Sequence, residues 1–178
     1  LIEPTAGEIE IFGLPLAANR SAIMQKVGAV IEKPAMYEYL TAYQNLKIFS
    51  ALSGVSKSKT QLLQELDVVG LATRAQDNVG TFSQGMKQRL AIAMAMVNDP
   101  ELILLDEPTN GLDPQGIADI RNLILQLSRE QGKTVLVSSH LLSEIEQVAT
   151  RLIIIDKGCK LVEGDSKELF DTSKTVVA

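Results

Sequence analysis

Polar and apolar residues alternate with a period of two along Glu8-Ile9-Glu10-Ile11-Phe12, after the turn-forming Pro4-Thr5-Ala6-Gly7. That pattern predicts a short, half-exposed strand. A short helix near 21–26 follows, then an apolar strip, Val27-Gly28-Ala29-Val30-Ile31, closed by Glu32-Lys33-Pro34. Over 41–71 the period becomes helical, in two amphipathic runs at 43–52 and 57–69; Leu62, Leu63, Leu66 and Val69 share one face of the second. No strand signal interrupts this stretch, so an all-helical insertion is expected. Beyond it the elements alternate: helix 85–97, strand 102–105, helix 114–130, strand 134–138, helix 141–149 and strand 151–155. Pro114 in the first turn and Gly132 past the end frame the longest helix. A tight turn at Lys157-Gly158 leads to a last strand, 160–163, and Ser166 is placed to cap a short helix over 167–170. The strips LILL, VLVS and LIII are continuous apolar runs, expected of strands buried on both faces. Strands alternating with helices imply an α/β fold with a parallel sheet, and the tail 171–178 is expected to fray.

Composition narrows the function classes. The chain has 178 residues, of which 46% are hydrophobic and 22% charged, an ordinary globular mixture rather than a disordered or collagen-like one. Seventeen basic against 22 acidic residues leave a net charge of −5, so no general basic surface for nucleic acid or anionic lipid is expected. One His and one Cys cannot build a His/Cys zinc site or an internal disulfide. No apolar run approaches the roughly 18 residues of a membrane span.

In parallel α/β sheets, ligands collect at the carboxyl ends of the strands. Three such ends carry polar groups here: Asp106-Glu107-Pro108, Ser138-Ser139-His140, and Glu32. An acidic pair in that position suits a phosphate–magnesium site, one carboxylate holding hydrated Mg²⁺ and the next orienting and deprotonating a water. Acids after a strand are also common solvated turn residues, and a lone His is often a cap or a packed side chain. Thr81-Phe82-Ser83-Gln84-Gly85 reads as a helix start, with Ser83 as cap and Gly85 permitting close approach to the backbone. A helix N-terminus is a natural anion seat, although capping alone explains Ser83.

The order FSQGMKQRL, LILLDEP, NGLDP, SSH resembles the ATP-binding cassette ATPases over essentially the whole chain. In that resemblance, 82–86 is the signature motif, 102–107 the Walker B strand with its catalytic glutamate, 111–113 the D-loop and His140 the switch histidine. The implied fold is a P-loop NTPase-like (RecA-like) parallel sheet with a helical subdomain. Its expected divisions are 1–40 for part of the ATPase core, 41–90 for the helical signature subdomain and 91–178 for the rest of the core. The resemblance also implies a mechanism. Two such domains pair head to tail around two ATP molecules, with Asp106 binding Mg²⁺ through water and Glu107 acting as general base. His140 contacts the γ-phosphate, Ser83, Gln84 and Gly85 meet the ATP held by the other subunit, and Asp113 links the two sites. Glu32 replaces the family's usual Gln, and Gln84-Gly85 its usual Gly-Gly. Both variants resemble the bacitracin and lantibiotic exporter branch, with Glu32 near the Mg²⁺ or the water. The implied partners are a second nucleotide-binding domain and a membrane permease. Tyr37, Tyr39 and Tyr43 fall where the family receives a short helix from that permease, which implies a cytoplasmic position against the inner face of the membrane.

A phosphate-binding G-x-x-x-x-G-K-[ST] loop does not occur in these 178 residues. Gly132-Lys133-Thr134 imitates its end, but position 127 is Leu and the segment runs from a helix into a strand, so Gly132 reads as a helix C-cap. By resemblance, the missing lysine belongs roughly ten residues before Leu1. The chain alone is therefore expected to bind MgATP poorly and not to hydrolyse it. Two other readings stay open at this point: a cassette ATPase outside transport, and a truncated remnant that pairs with a partner without catalysis.

Overall fold

A computed structural model describes residues 4–31 and 35–170, and the expectations placed on Glu32, on the closing turn at 32–34 and on the tail 171–178 lie outside these. The chain divides into two compact units, 1–138 and 139–178.

The first unit opens with a small hairpin, β1 (Glu10–Ile11) against β2 (Leu14–Pro15). Phe12 and Gly13 form its two-residue loop at φ 56° and 70°, the left-handed pair that matches the twist of a tight hairpin. Helix α1 (Leu16–Met24) follows, earlier and longer than the expected 21–26, and buries Ile23. Strand β3 (Val27–Val30) then enters the core.

The expected helical stretch forms as two helices, α2 (Ala42–Leu52) and α3 (Lys59–Val68). Each begins with a capping box, Thr41 with Gln44 and Ser58 with Gln61, so two orphan N-terminal N–H groups are satisfied reciprocally at each start. Leu62 and Leu66 face inward on α3, as their spacing predicts.

Helix α4 (Gln84–Ala95), strand β4 (Leu102–Asp106), helix α5 (Pro114–Arg129) and strand β5 (Thr134–Ser138) complete the unit. The amphipathic α5 buries Ile120, Leu123, Ile124 and Leu127. It ends as the sequence suggests: Gly132 takes φ 66°, and the Lys133 N–H returns to the Leu127 carbonyl at 3.0 Å.

The sheet is parallel, ordered β3-β4-β5, with Ala29, Leu104 and Leu136 in one row and Asp106 opposite Ser138 at the far end. Gly28 and Val30 on β3 and Ile103 and Leu105 on β4 are buried, and α4 packs against the β3 side of that face. A Cβ on Gly28 would come 2.3 Å from the Ala95 carbonyl oxygen, so only glycine lets β3 lie this close to α4. The opposite face is open: Ala29 is exposed and Leu136 is 59% exposed. The expectation that VLVS is buried on both faces is thereby corrected.

The second unit contains α6 (Leu142–Val148), an antiparallel pair β6 (Arg151–Asp156) and β7 (Cys159–Asp165), and α7 (Ser166–Leu169). LIII in β6 is mostly exposed rather than buried on both faces, because among the described residues β6 pairs with β7 alone and forms a two-stranded ribbon. The cap of α7 is also corrected. The Asp165 carboxylate accepts from the Lys167 N–H at 2.9 Å, while the Ser166 hydroxyl donates to the Ala149 carbonyl and ties α7 to the end of α6.

Candidate functional site

Strand β4 buries Ile103 and Leu105 in the core and then delivers Asp106 and Glu107 at its carboxyl end. Asp106 is the last strand residue and lies opposite Ser138, the last residue of β5. The Ser138 hydroxyl donates to Asp106 Oδ1 and accepts from the Glu107 backbone N–H at 2.9 Å. That same N–H also reaches the Ser138 carbonyl at 3.2 Å. Glu107 itself has φ 46°, a left-handed conformation that an L-residue with a long side chain rarely adopts. The chain therefore turns sharply where the two acids meet. Pro108 and the buried Thr109 follow, and Asn110 and Leu112 donate back to Glu107 and Thr109 in successive turns.

These turns bring the chain to the start of α5. Asp113 caps that helix, its Oδ1 accepting from the Gly116 N–H at 3.1 Å. Ser83 caps α4 in the same way, Oγ accepting from the Met86 N–H at 3.3 Å. A Cβ on Gly85 would lie 3.7 Å from the Gly116 Cα, so the two helix starts lie side by side. Each carries the partial positive charge and unsatisfied N–H groups of a helix N-terminus. Gln84 is the first residue of α4 and, like Ser83, exposed.

Of the residues expected to act together, the structure joins Asp106 to Glu107 through Ser138, and the 83–85 segment to the start of α5. His140 is exposed and belongs to the second unit. Glu32 lies outside the described residues. Ser138 was legible only as a polar strand end; its link to both acids depends on the β4–β5 register, which no local pattern fixes.

The donor set also decides which metal chemistry fits. Among the described residues no group of three or more His, Cys, Asp and Glu could enclose a metal ion. One or two carboxylates beside a hydroxyl suit Mg²⁺, which keeps several waters and takes its remaining ligands from substrate phosphates.

Near the start of the helical stretch, Asn45 is fully buried and ties the preceding loop to α2. Its side chain accepts from the Tyr37 N–H at 2.9 Å and donates to the carbonyls of Tyr37 and Thr41, each at 3.0 Å. This presents Tyr39, 74% exposed, against Tyr37 in an edge-on pair with ring centroids 6.0 Å apart. Lys87 on α4 pairs with Glu38 between them.

A sequence profile of the family described as ABC transporter matches residues 1–110. The chain is 48% identical over 163 residues to the bacitracin transport ATP-binding protein BcrA of Bacillus licheniformis, covering 92% of this chain and 53% of that protein. It is 40% identical over 163 residues to the lantibiotic transport ATP-binding protein SrtF of Streptococcus pyogenes, covering 92% and 69% respectively. The chain thus spans about half the length of the BcrA proteins it matches. Among solved structures it superposes on cbiO1 from Clostridium perfringens, part of the ABC transporter complex cbiONQ, with a TM-score of 0.83 and 24% identity, covering 97% of this chain and 71% of that one. A dimeric ATP-binding cassette, MJ0796 bound to ADP and Pi, gives a TM-score of 0.78 at 27% identity over 93% of this chain and 75% of that one. The fold is accordingly the α/β, P-loop NTPase-like architecture that the motif order implies.

Proposed function

We propose, for a chain that belongs to the ABC transporter family, that it is part of the ATP-hydrolysing subunit of a membrane exporter. The observation that carries the reading is the Asp106–Glu107 pair at the carboxyl end of a parallel strand, fixed by Ser138 of the neighbouring strand. The substrate class we favour is a peptide antibiotic, since bacitracin and lantibiotic transport proteins are among the relatives that share this sequence.

In this reading Asp106 is the residue that would hold a hydrated Mg²⁺, whose chemistry would be neutralisation of charge on the phosphates. Glu107, its backbone N–H held by Ser138, accepts the proton of the attacking water. His140 hydrogen-bonds the terminal phosphate, and Glu32 orients the water or the hydrated cation. Ser83, Gln84 and Gly85 present the α4 N-terminus to a nucleotide held by a second cassette. Asp113, fixed at the adjacent start of α5, reports closure from one site to the other. The helical stretch 41–90 acts as the subdomain that moves on closure, and the Tyr37–Tyr39 surface receives the permease. The working position of the chain is then the cytoplasmic side of a membrane, held there by that permease.

The test is Glu107→Gln in the protein expressed from its complete coding sequence. General-base catalysis contributes about 10²–10⁴-fold, so turnover should fall by that factor while ATP binding persists. Unchanged turnover would remove Glu107 from the base role.

A further inference from the structure

We infer that Ser138 is a positioning residue for both acids, acting as a two-way hydrogen-bond clamp between β5 and the end of β4; this rests on the ATPase reading above.

Three observations converge on it. The hydroxyl donates to Asp106 Oδ1 and at the same time accepts from the Glu107 N–H at 2.9 Å. The result is a directed chain, amide to hydroxyl to carboxylate, in which each bond polarises the next and the last is charge-assisted. The register places Ser138 directly opposite Asp106, so the strand ladder itself holds the hydroxyl in reach. The residue it clamps, Glu107, sits at φ 46°, a conformation that persists only where surrounding bonds over-determine it.

The chemistry needs such a clamp. Asp106 offers two oxygens, and a hydrated cation requires one of them in a fixed direction. Ser138 donates to Oδ1 and so holds the carboxylate in one rotation, the orientation in which it would receive a hydrated cation. Glu107 has a long side chain whose aim depends on its backbone, and the same hydroxyl holds that backbone turned. No backbone group replaces the hydroxyl at Asp106, whereas the Glu107 N–H retains the Ser138 carbonyl at 3.2 Å. Removing the hydroxyl should therefore disturb the metal more than the fold.

The experiment compares Ser138→Ala and Ser138→Thr with the parent, in the protein expressed from its complete coding sequence. Losing one charge-assisted bond should raise the Mg²⁺ concentration for half-maximal ATP turnover by about tenfold. The KM for ATP at saturating Mg²⁺ should change by less than about twofold, since that bond touches no nucleotide. Ser138→Thr retains the hydroxyl and should restore the Mg²⁺ requirement to within about threefold of the parent. A loss of fold would lower turnover at every Mg²⁺ concentration without moving the half-saturation point. Backbone hydrogen exchange gives an independent reading in nucleotide-free protein: the Glu107 amide should exchange faster in the Ala variant and at the parental rate in the Thr variant. An unchanged Mg²⁺ requirement in Ser138→Ala, or a Thr variant as impaired as Ala, overturns the clamp. If the parent shows no Mg²⁺-dependent turnover the ATPase reading fails, and the exchange rate of Glu107 still decides whether the clamp exists.

Discussion

Gly28→Ala is a substitution whose sign differs between local and tertiary reasoning. Within a strand, glycine is usually a liability, and alanine gains about 0.5–1 kcal/mol by restricting the unfolded chain. The packing says otherwise. The new Cβ would stand 2.3 Å from the Ala95 carbonyl oxygen, 3.0 Å from its carbon and 3.1 Å from Pro100 Cγ. A carbon–oxygen contact needs about 3.3 Å, so β3 and the end of α4 must separate by roughly 1 Å. Two of the three obstacles are backbone atoms, so no rotamer change relieves them. Overpacking of this kind costs about 1–3 kcal/mol, and the upper part of that range applies because the helix itself must shift. Set against the entropic gain, the net loss should be about 2 kcal/mol, or roughly 4–8 °C in Tm for a chain of this size. Urea denaturation followed by far-UV circular dichroism measures it, with Gly132→Ala as a control that meets no atom within 4 Å but must adopt φ 66°. Equal or higher stability of Gly28→Ala would refute the claim that α4 is seated on β3 through this glycine.

Other consequences can be measured separately. Asp113→Ala removes the cap of α5 and should cost about 1 kcal/mol of stability, with Asp113→Ser losing much less; equal losses in urea melts would argue against capping. Asn45→Leu leaves the Tyr37 N–H and two carbonyls without their buried partner, and should destabilise by about 3 kcal/mol while freeing the Tyr37 ring, seen as faster exchange of the Tyr37 amide. In the β6–β7 ribbon, the hydrogen bond from Lys160, then its charge and that of Arg151, lowers the Glu163 carboxyl below its ordinary value. The pairing therefore favours the folded ribbon above the ordinary carboxylate range and is lost as pH falls through the lowered value. Lys160→Gln should move the Glu163 carboxyl titration upward by NMR, and an unmoved titration would discard this account. In the protein expressed from its complete coding sequence, Ser83→Arg should block ATP-induced pairing while leaving the affinity of a single subunit for ATP unchanged; a normal dimer by light scattering would count against a role for the α4 N-terminus across an interface.

What the sequence determined by itself is local. Ser83 precedes an apolar periodic run and caps it because a side-chain oxygen three residues before an N–H reaches it across one turn of helix. Gly132 ends α5 because the left-handed turn costs glycine little. The motif order from Phe82 to His140 also identified the family, since it depends on residue types and spacing alone. Tertiary structure decided the rest. LILL, VLVS and LIII look alike as apolar strips, yet they differ in burial because that depends on which neighbours and helices each strand acquires. Ser138 becomes a partner of Asp106 and Glu107 only through the β4–β5 register, across more than thirty residues of chain. Gly28 is indispensable only because α4 returns to lie on it. Hydrogen bonds and caps act over a few residues and can be read in order; packing and register join distant residues, and their energies exist only once the chain has brought those residues together.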